Sequence, residues 1–197
     1  FRPSTPPALK VVHILKGFSK DDRHWSRVMG DCLHGLHAVL PGYQAQSNIL
    51  PAENPARMVR QVFDQFLPDG SLFGIILLSC SREVQETVQT LSREHGIPAV
   101  SYGTLYANIT RIPSVDHDQF EAGRLMAEYL VARGHRRMEL LMKDYWLPGD
   151  NQMLGGINQS LADAALNCGA LSTHAMPEVP ELARIEVARM FDGEDRP

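Results

Sequence analysis

Apolar positions along the chain fall into two alternating kinds of stretch. Continuous or β-branched runs at 10–15 (KVVHIL), 72–78 (LFGIILL) and 98–102 (PAVSY) predict buried strands, and the looser alternation of 44–50 predicts another. Between them the period changes to that of a helix. A helix over 24–40 follows Asp21 or Asp22 as its cap and ends at Pro41-Gly42. Asn54 and Pro55 read as the N-cap and first residue of the next helix, whose apolar face carries Met58, Val62, Phe63 and Phe66. Pro68-Asp69-Gly70 is a turn. Ser81 opens a third helix, with Val84, Val88 and Leu91 spaced for burial, and Gly96 closes it. Strands alternating with helices in this order imply a parallel sheet covered on both faces.

The polar, irregular stretch 103–111 interrupts that rhythm and is the expected seam between two lobes. Residues 1–9, with Pro3, Pro6 and Pro7, predict an extended linker. The expected organisation is therefore a linker over 1–9, an N-terminal lobe over 10–111 and a partial C-terminal lobe over 112–197. The second lobe opens with a β-type segment at 112–115 and two acids, Asp116 and Asp118. Phe120, Gly123, Ala127 and Leu130 then recur at helical spacing, with Met126 and Tyr129 widening the stripe, and Gly134 stops the helix. A strand at 137–142, a loop through Pro148-Gly149-Asp150, a helix at 151–165, a strand at 171–176 and a helix at 180–191 repeat the plan. The fold class expected is α/β: two Rossmann-like lobes with parallel sheets, the second incomplete, with an unpaired sheet edge and marginal stability of its own.

Composition narrows the function. At 197 residues, 44% hydrophobic and 21% charged, the chain is long enough for a real core and ordinary for a globular protein. A net charge of −4, without a basic tract, makes it a poor nucleic-acid binder by itself. Three cysteines, Cys32, Cys80 and Cys168, are odd in number and lack C-x-x-C spacing, which suits a reducing cytoplasm better than a disulfide framework. No apolar run is long enough to span a bilayer and no signal peptide is visible. The first residue is Phe1 rather than Met, so an upstream segment is expected to have been removed.

The central stretch is the most specific. Val-Asp-x-Asp at 115–118, Ala-Gly-Arg-x-x-x-Glu-x-Leu at 122–130 and Gly-His-Arg-Arg at 134–137 resemble the central signature of the effector-binding domain of LacI/GalR-type regulators. The resemblance extends from about Phe73 to Leu166. It implies a periplasmic-binding-protein-like fold, a cytoplasmic homodimer, no enzymatic activity and no cofactor. It also implies a small-molecule effector, with DNA contacted only through a helix-turn-helix segment absent from this chain. An exported solute-binding receptor of an ABC-type transporter shares the two-lobe plan and is the second reading; an upstream signal peptide would favour it. A Rossmann-type enzyme is the third.

In open parallel sheets, ligands sit outside the carboxyl ends of the strands. Those ends nominate Phe18, Ser79, Tyr102, Asp150, Asn151 and Met176, with Ser19 and Pro148 beside them, and Trp25 as an aromatic wall suited to sugar C–H faces. Trp25 is equally readable as a core or interface aromatic, and Ser79 as a plain loop residue. The resemblance adds Met153: if Gly156 is the glycine of the family's pattern, Met153 stands where an Arg usually forks onto ligand oxygens, and a thioether cannot replace that bidentate cation. A less polar effector, a lost response and a shifted register are the three alternatives. Cys32, His34 and His37 lie close in sequence, but no second ligand pair has zinc-site spacing, so a satisfied or solvated pair of histidines is preferred to a metal site. Ser79-Cys80-Ser81 lacks the glycines of a nucleophile elbow. No G-x-G-x-x-G follows the first strand and no P-loop is present.

Overall fold

The computed structural model describes residues 9–17, 23–143, 146–177 and 179–192, with the backbone alone at 23–25, 168 and 192. The linker expected over 1–9 and the caps Asp21 and Asp22 thus lie almost entirely outside the described residues. The chain divides into two compact units, Phe1–Asp116 and His117–Pro197.

In the first unit, strands β1 (Val11–Lys16), β2 (Gln44–Ile49), β3 (Leu72–Leu78), β4 (Ala99–Tyr102) and β5 (Ser114–Val115) form one sheet in the order β2-β1-β3-β4-β5. Every pairing is parallel. The helices are α1 (Arg23–Val39), α2 (Pro55–Phe66) and α3 (Arg82–His95). All six residues of β1 are buried, as a strand flanked on both sides and covered on both faces requires. Leu15, Leu72, Ile75 and Leu77 pack with Val59, Val62 and Phe63 of α2 and Val84 and Val88 of α3 into the main core. Each such side chain removed from water contributes about 1.5–3 kcal/mol before conformational entropy is set against it. Val59 is fully buried and belongs to the α2 face beside the residues expected there, whereas Met58 and Phe66 lie only partly buried at its margin.

Local signals worked unevenly. Gly96 ends α3 with φ +69°, and the turn through Gly70 has the same φ, a conformation glycine adopts without a steric cost. Asn54 and Ser81 occupy the N-cap positions expected of them, but neither side chain makes a capping hydrogen bond, and Asn54 is itself left-handed at φ 50°. The segment 112–115 was expected to open the second lobe; its last two residues instead add β5 to the first sheet, Ser101 opposite Ser114 and Tyr102 opposite Val115. An extended segment beside an open strand edge satisfies its backbone by pairing there.

In the second unit, α4 (Gln119–Ala132), β6 (Met138–Lys143), α5 (Pro148–Asp163), β7 (Leu171–Met176) and α6 (Pro180–Asp192) follow in order, with a short 3-10 turn at Cys168–Ala170. β6 and β7 pair in parallel from Met138 opposite Leu171 to Lys143 opposite Met176. Asp118 accepts a hydrogen bond from the Glu121 N–H at 2.9 Å and so caps α4. At the other end, the His135 N–H donates to the Leu130 carbonyl and the Gly134 N–H to that of Val131, the paired bonds of a Schellman motif around Gly134 at φ +91°. Helix α5 begins at Pro148, three residues before the expected start, because proline suits a first helical turn that needs no N–H.

The faces of α4 differ from the expected stripe. Gly123 and Ala127 are buried, but Met126 and Tyr129 are 48% and 57% exposed and Phe120 is 43% exposed. The reason is the closeness of α4 to α5. A Cβ on Gly123 would overlap the Met153 carbonyl, and one on Gly156 would overlap the Phe120 carbonyl. Ser160 adds a hydrogen bond across the contact, from Oγ to the Arg124 carbonyl at 2.8 Å. Two backbones this near leave room only for small residues in a narrow seam, and larger apolar neighbours are turned outward.

Candidate functional site

The strand order β2-β1-β3-β4-β5 reverses direction between β1 and β3. In doubly wound sheets that reversal opens a crevice at the carboxyl ends of the two strands. The register sets those ends level: Ile49, Lys16, Leu78, Tyr102 and Val115 are successive partners along one edge. The Gly17 N–H donates to the Leu78 carbonyl at 3.0 Å, extending the β1–β3 pairing one residue past β1. A side chain at 17 would overlap the Ser79 carbonyl, so only glycine fits where the two strand ends meet.

Ser79 sits at this switch point, exposed, with a left-handed φ of 47° that is uncommon for a residue with a Cβ. Cys80, next to it, is buried, its Sγ within 3.2 Å of the Leu15 carbonyl. Burial pushes its thiol up to about 12, which makes it a poor nucleophile. Lys16, at the end of β1, is 1% exposed, and its Nζ donates to the Gly17 carbonyl at 3.2 Å. Tyr102 is half-buried at the end of β4. Past it, Thr104 donates from its hydroxyl to the Asp116 carboxylate. Phe18 lies outside the described residues, and Trp25 is placed by its backbone alone, in the first turn of α1.

In the second unit, the carboxyl ends of β6 and β7 share an edge, since Lys143 is opposite Met176. Met176 is half-buried there. Asp150 is in the first turn of α5, and its Oδ2 accepts the Leu147 N–H at 2.8 Å. That bond leaves it one carboxylate oxygen for anything else. Asn151 beside it is exposed. Met153 is half-buried against the core formed by Ala127, Met138, Ile157 and Leu161. The candidate residues thus gather at two sheet edges: Ser79 and Tyr102 at one, Asp150, Asn151 and Met176 at the other.

Gly17, Lys16 and Gln85 carry geometry at the first edge that the sequence reading missed. A glycine directly after a strand run was the one available signal for Gly17. Among the described residues no group of three or more His, Cys, Asp or Glu side chains is arranged to hold a metal ion. No helix among them is long and apolar enough to cross a membrane.

A parallel sheet with this order is doubly wound α/β, and here a second α/β unit follows it. No family model and no curated protein matches the sequence. Solved structures do. The chain is similar to a putative LacI transcriptional regulator from Bacillus cereus subsp. cytotoxis, with TM-score 0.72 and 22% identity over 96% of this chain and 66% of that one. It is similar to a LacI family transcriptional regulator from Enterococcus faecium solved with bound ribose, with TM-score 0.68 and 15% identity over 94% of this chain and 64% of that one. It is also similar to an ABC transporter periplasmic solute-binding protein from Actinobacillus succinogenes solved with bound D-allose, with TM-score 0.69 and 14% identity over 94% and 65%. The chain has the fold shared by LacI-family regulators and sugar-binding receptors, and spans somewhat under two thirds of the length of each of these three.

Proposed function

We propose that this chain is the effector-binding and dimerisation part of a LacI-type bacterial transcriptional regulator. In this reading a sugar-like small molecule controls DNA binding by a helix-turn-helix segment outside this chain. The observation that carries it is the switch point between β1 and β3, where Gly17 admits close strand ends and Ser79 stands exposed. The same fold holds ribose in one regulator. Phe18, Trp25, Ser79 and Tyr102 are the effector contacts assigned to the first unit, and Asp150, Asn151, Met153 and Met176 those assigned to the second. Hydroxyls, one amide and a half-engaged carboxylate fit neutral polyols, since each can exchange hydrogen bonds with an OH group. The protein works in the cytoplasm as a homodimer, uses no cofactor and catalyses no reaction. Effector binding acts by favouring one of two conformations, which requires different affinities for the two.

A solute-binding receptor of an ABC-type transporter is the second reading, favoured by the likeness to the D-allose-bound receptor. The residues upstream of Phe1 discriminate the two: a basic helix-turn-helix supports the regulator, a signal peptide the receptor. Thermal unfolding against ribose, allose, cellobiose, nucleobases and sugar phosphates tests ligand sensing itself. A true effector at 100 times its Kd stabilises the native state by about 2.7 kcal/mol, so Tm rises with dose. A flat response across the panel overturns both readings.

A further inference from the structure

The irregular stretch 103–111 is held by side chains of α3 rather than by secondary structure of its own. Gln85 is 2% exposed and uses both ends of its amide: Nε2 donates to the Cys80 carbonyl at 3.1 Å, and Oε1 accepts the Tyr106 N–H at 3.1 Å. One turn on, the Gln89 Oε1 accepts the N–H groups of Thr110 and Arg111 at 2.8 and 2.9 Å. Asn108 donates to the Glu86 carboxylate at 2.6 Å, and the Arg82 guanidinium lies 4.9 Å from the centre of the Tyr106 ring. Ile109 is buried and Leu105 and Tyr106 pack against the main core, so the stretch is anchored by apolar contacts as well.

Gln85 differs from the other members. Its amide alone also reaches the backbone at the end of β3, one residue from the exposed, left-handed Ser79. We propose that Gln85 is a positioning residue that couples the β3 end to 103–111, the segment that joins β4 to β5 within the first unit. A displacement of the backbone at 79–80 is then passed to Tyr106 through one buried amide. The bonds stand independently of any ligand. Their regulatory meaning rests on the reading of Ser79 as an effector contact, under which a ligand at the switch point shifts 103–111 without touching it. A buried amide bonded at both ends is suited to this, because losing either partner leaves a desolvated polar group.

Residue-resolved amide hydrogen exchange on the full 197-residue chain tests the coupling without a ligand. Gln85→Met should speed Tyr106 exchange about fivefold to tenfold beyond any change in global stability, with Val88→Ala as the control for general destabilisation. Ser79→Val places a β-branched residue at a left-handed position and strains the β3 end. It should speed Tyr106 exchange in the Gln85 background and add nothing in the Gln85→Met background, a double-mutant cycle with non-zero coupling. Additive effects, or Tyr106 exchange unmoved by Ser79→Val, would overturn the proposal. If Gln85→Met does not fold, Gln89→Met decides: it should release Thr110 and Arg111 and leave Tyr106 protected. Equal release of all three would show that the segment opens as a whole, with no special part for Gln85. None of these outcomes depends on whether a sugar binds, so failure here and failure of the effector reading are separate results.

Discussion

At the scale of single residues, close backbone approach and buried polarity decide most. Gly156 lies where a Cβ would meet the Phe120 carbonyl and the Arg124 N–H, and Gly30 in α1 has nothing within 4 Å of the same point. Gly156→Ala should therefore destabilise by about 1–3 kcal/mol through overpacking. Gly30→Ala should stabilise by about 0.5–1 kcal/mol by limiting the unfolded chain. Denaturant titrations of the two variants check the opposite signs. His13 is fully buried in β1, its ring 4.4 Å from that of Phe66. Its Nδ1 pairs with the Asn48 amide at 3.1 Å, and its Nε2 has no hydrogen-bond partner among the described residues. Burial holds it below the ordinary histidine value, so the unfolded chain takes up a proton first as pH falls. The His13 contribution is complete above about pH 6.5 and is lost as pH drops from there toward its lower folded value. Stability measured from pH 8 to 5 should decline below about pH 6.5 in the wild type and decline less in His13→Leu.

At the scale of elements, capping separates positions that look alike in the sequence. Asp118 makes the bond expected of it and Asn54 does not. Asp118→Ala should cost about 1 kcal/mol. At Asn54 the backbone angle governs instead, so Asn54→Gly should be neutral or stabilising where Asn54→Ala destabilises; equilibrium unfolding distinguishes these cases. The strands were the most legible elements: 171–176 is β7 and 72–78 is β3, residue for residue. A run such as LFGIILL has few places to go except a sheet interior. Helical periodicity located α4 and, through Gly123, Ala127 and Leu130, the middle of its buried face, but it wrongly counted Phe120, Met126 and Tyr129 in that face. A stripe of large residues is the usual buried side, and at Gly123 and Gly156 closeness rather than bulk forms the contact. Gln85 was illegible for the opposite reason: an amide in a polar helix looks solvated until a loop is known to fold back onto it. The place of Ser79 and Tyr102 at strand ends could be read from the sequence because strand ends can be counted. Lys16 and Gly17 at the same edge were not, because their meaning comes from the neighbouring strand.

At the scale of the whole molecule, the two units are unequally equipped. The first has five paired strands and a core of two helices and the sheet. The second has two paired strands among its described residues, and its core gathers around Ala127, Met138, Ile157 and Leu161. Two-stranded sheets are marginal without support, and free strand edges invite pairing with other chains. Amides of β6 and β7 should therefore exchange at a lower opening free energy than those of β1 and β3, with β1 approaching the global limit. Comparable protection in both sheets would contradict this. The level register of the first sheet carries one more consequence. Ile49, Lys16, Leu78, Tyr102 and Val115 finish together, but the segments that follow them differ in what they carry. Residues 51–53 after β2 are exposed, so they can be rewritten or lengthened while the packed interior below stays as it is, whereas 103–111 is tied into that interior through Ile109. A library confined to 51–53 should therefore retain folded members at high frequency, and one confined to 103–111 should lose them.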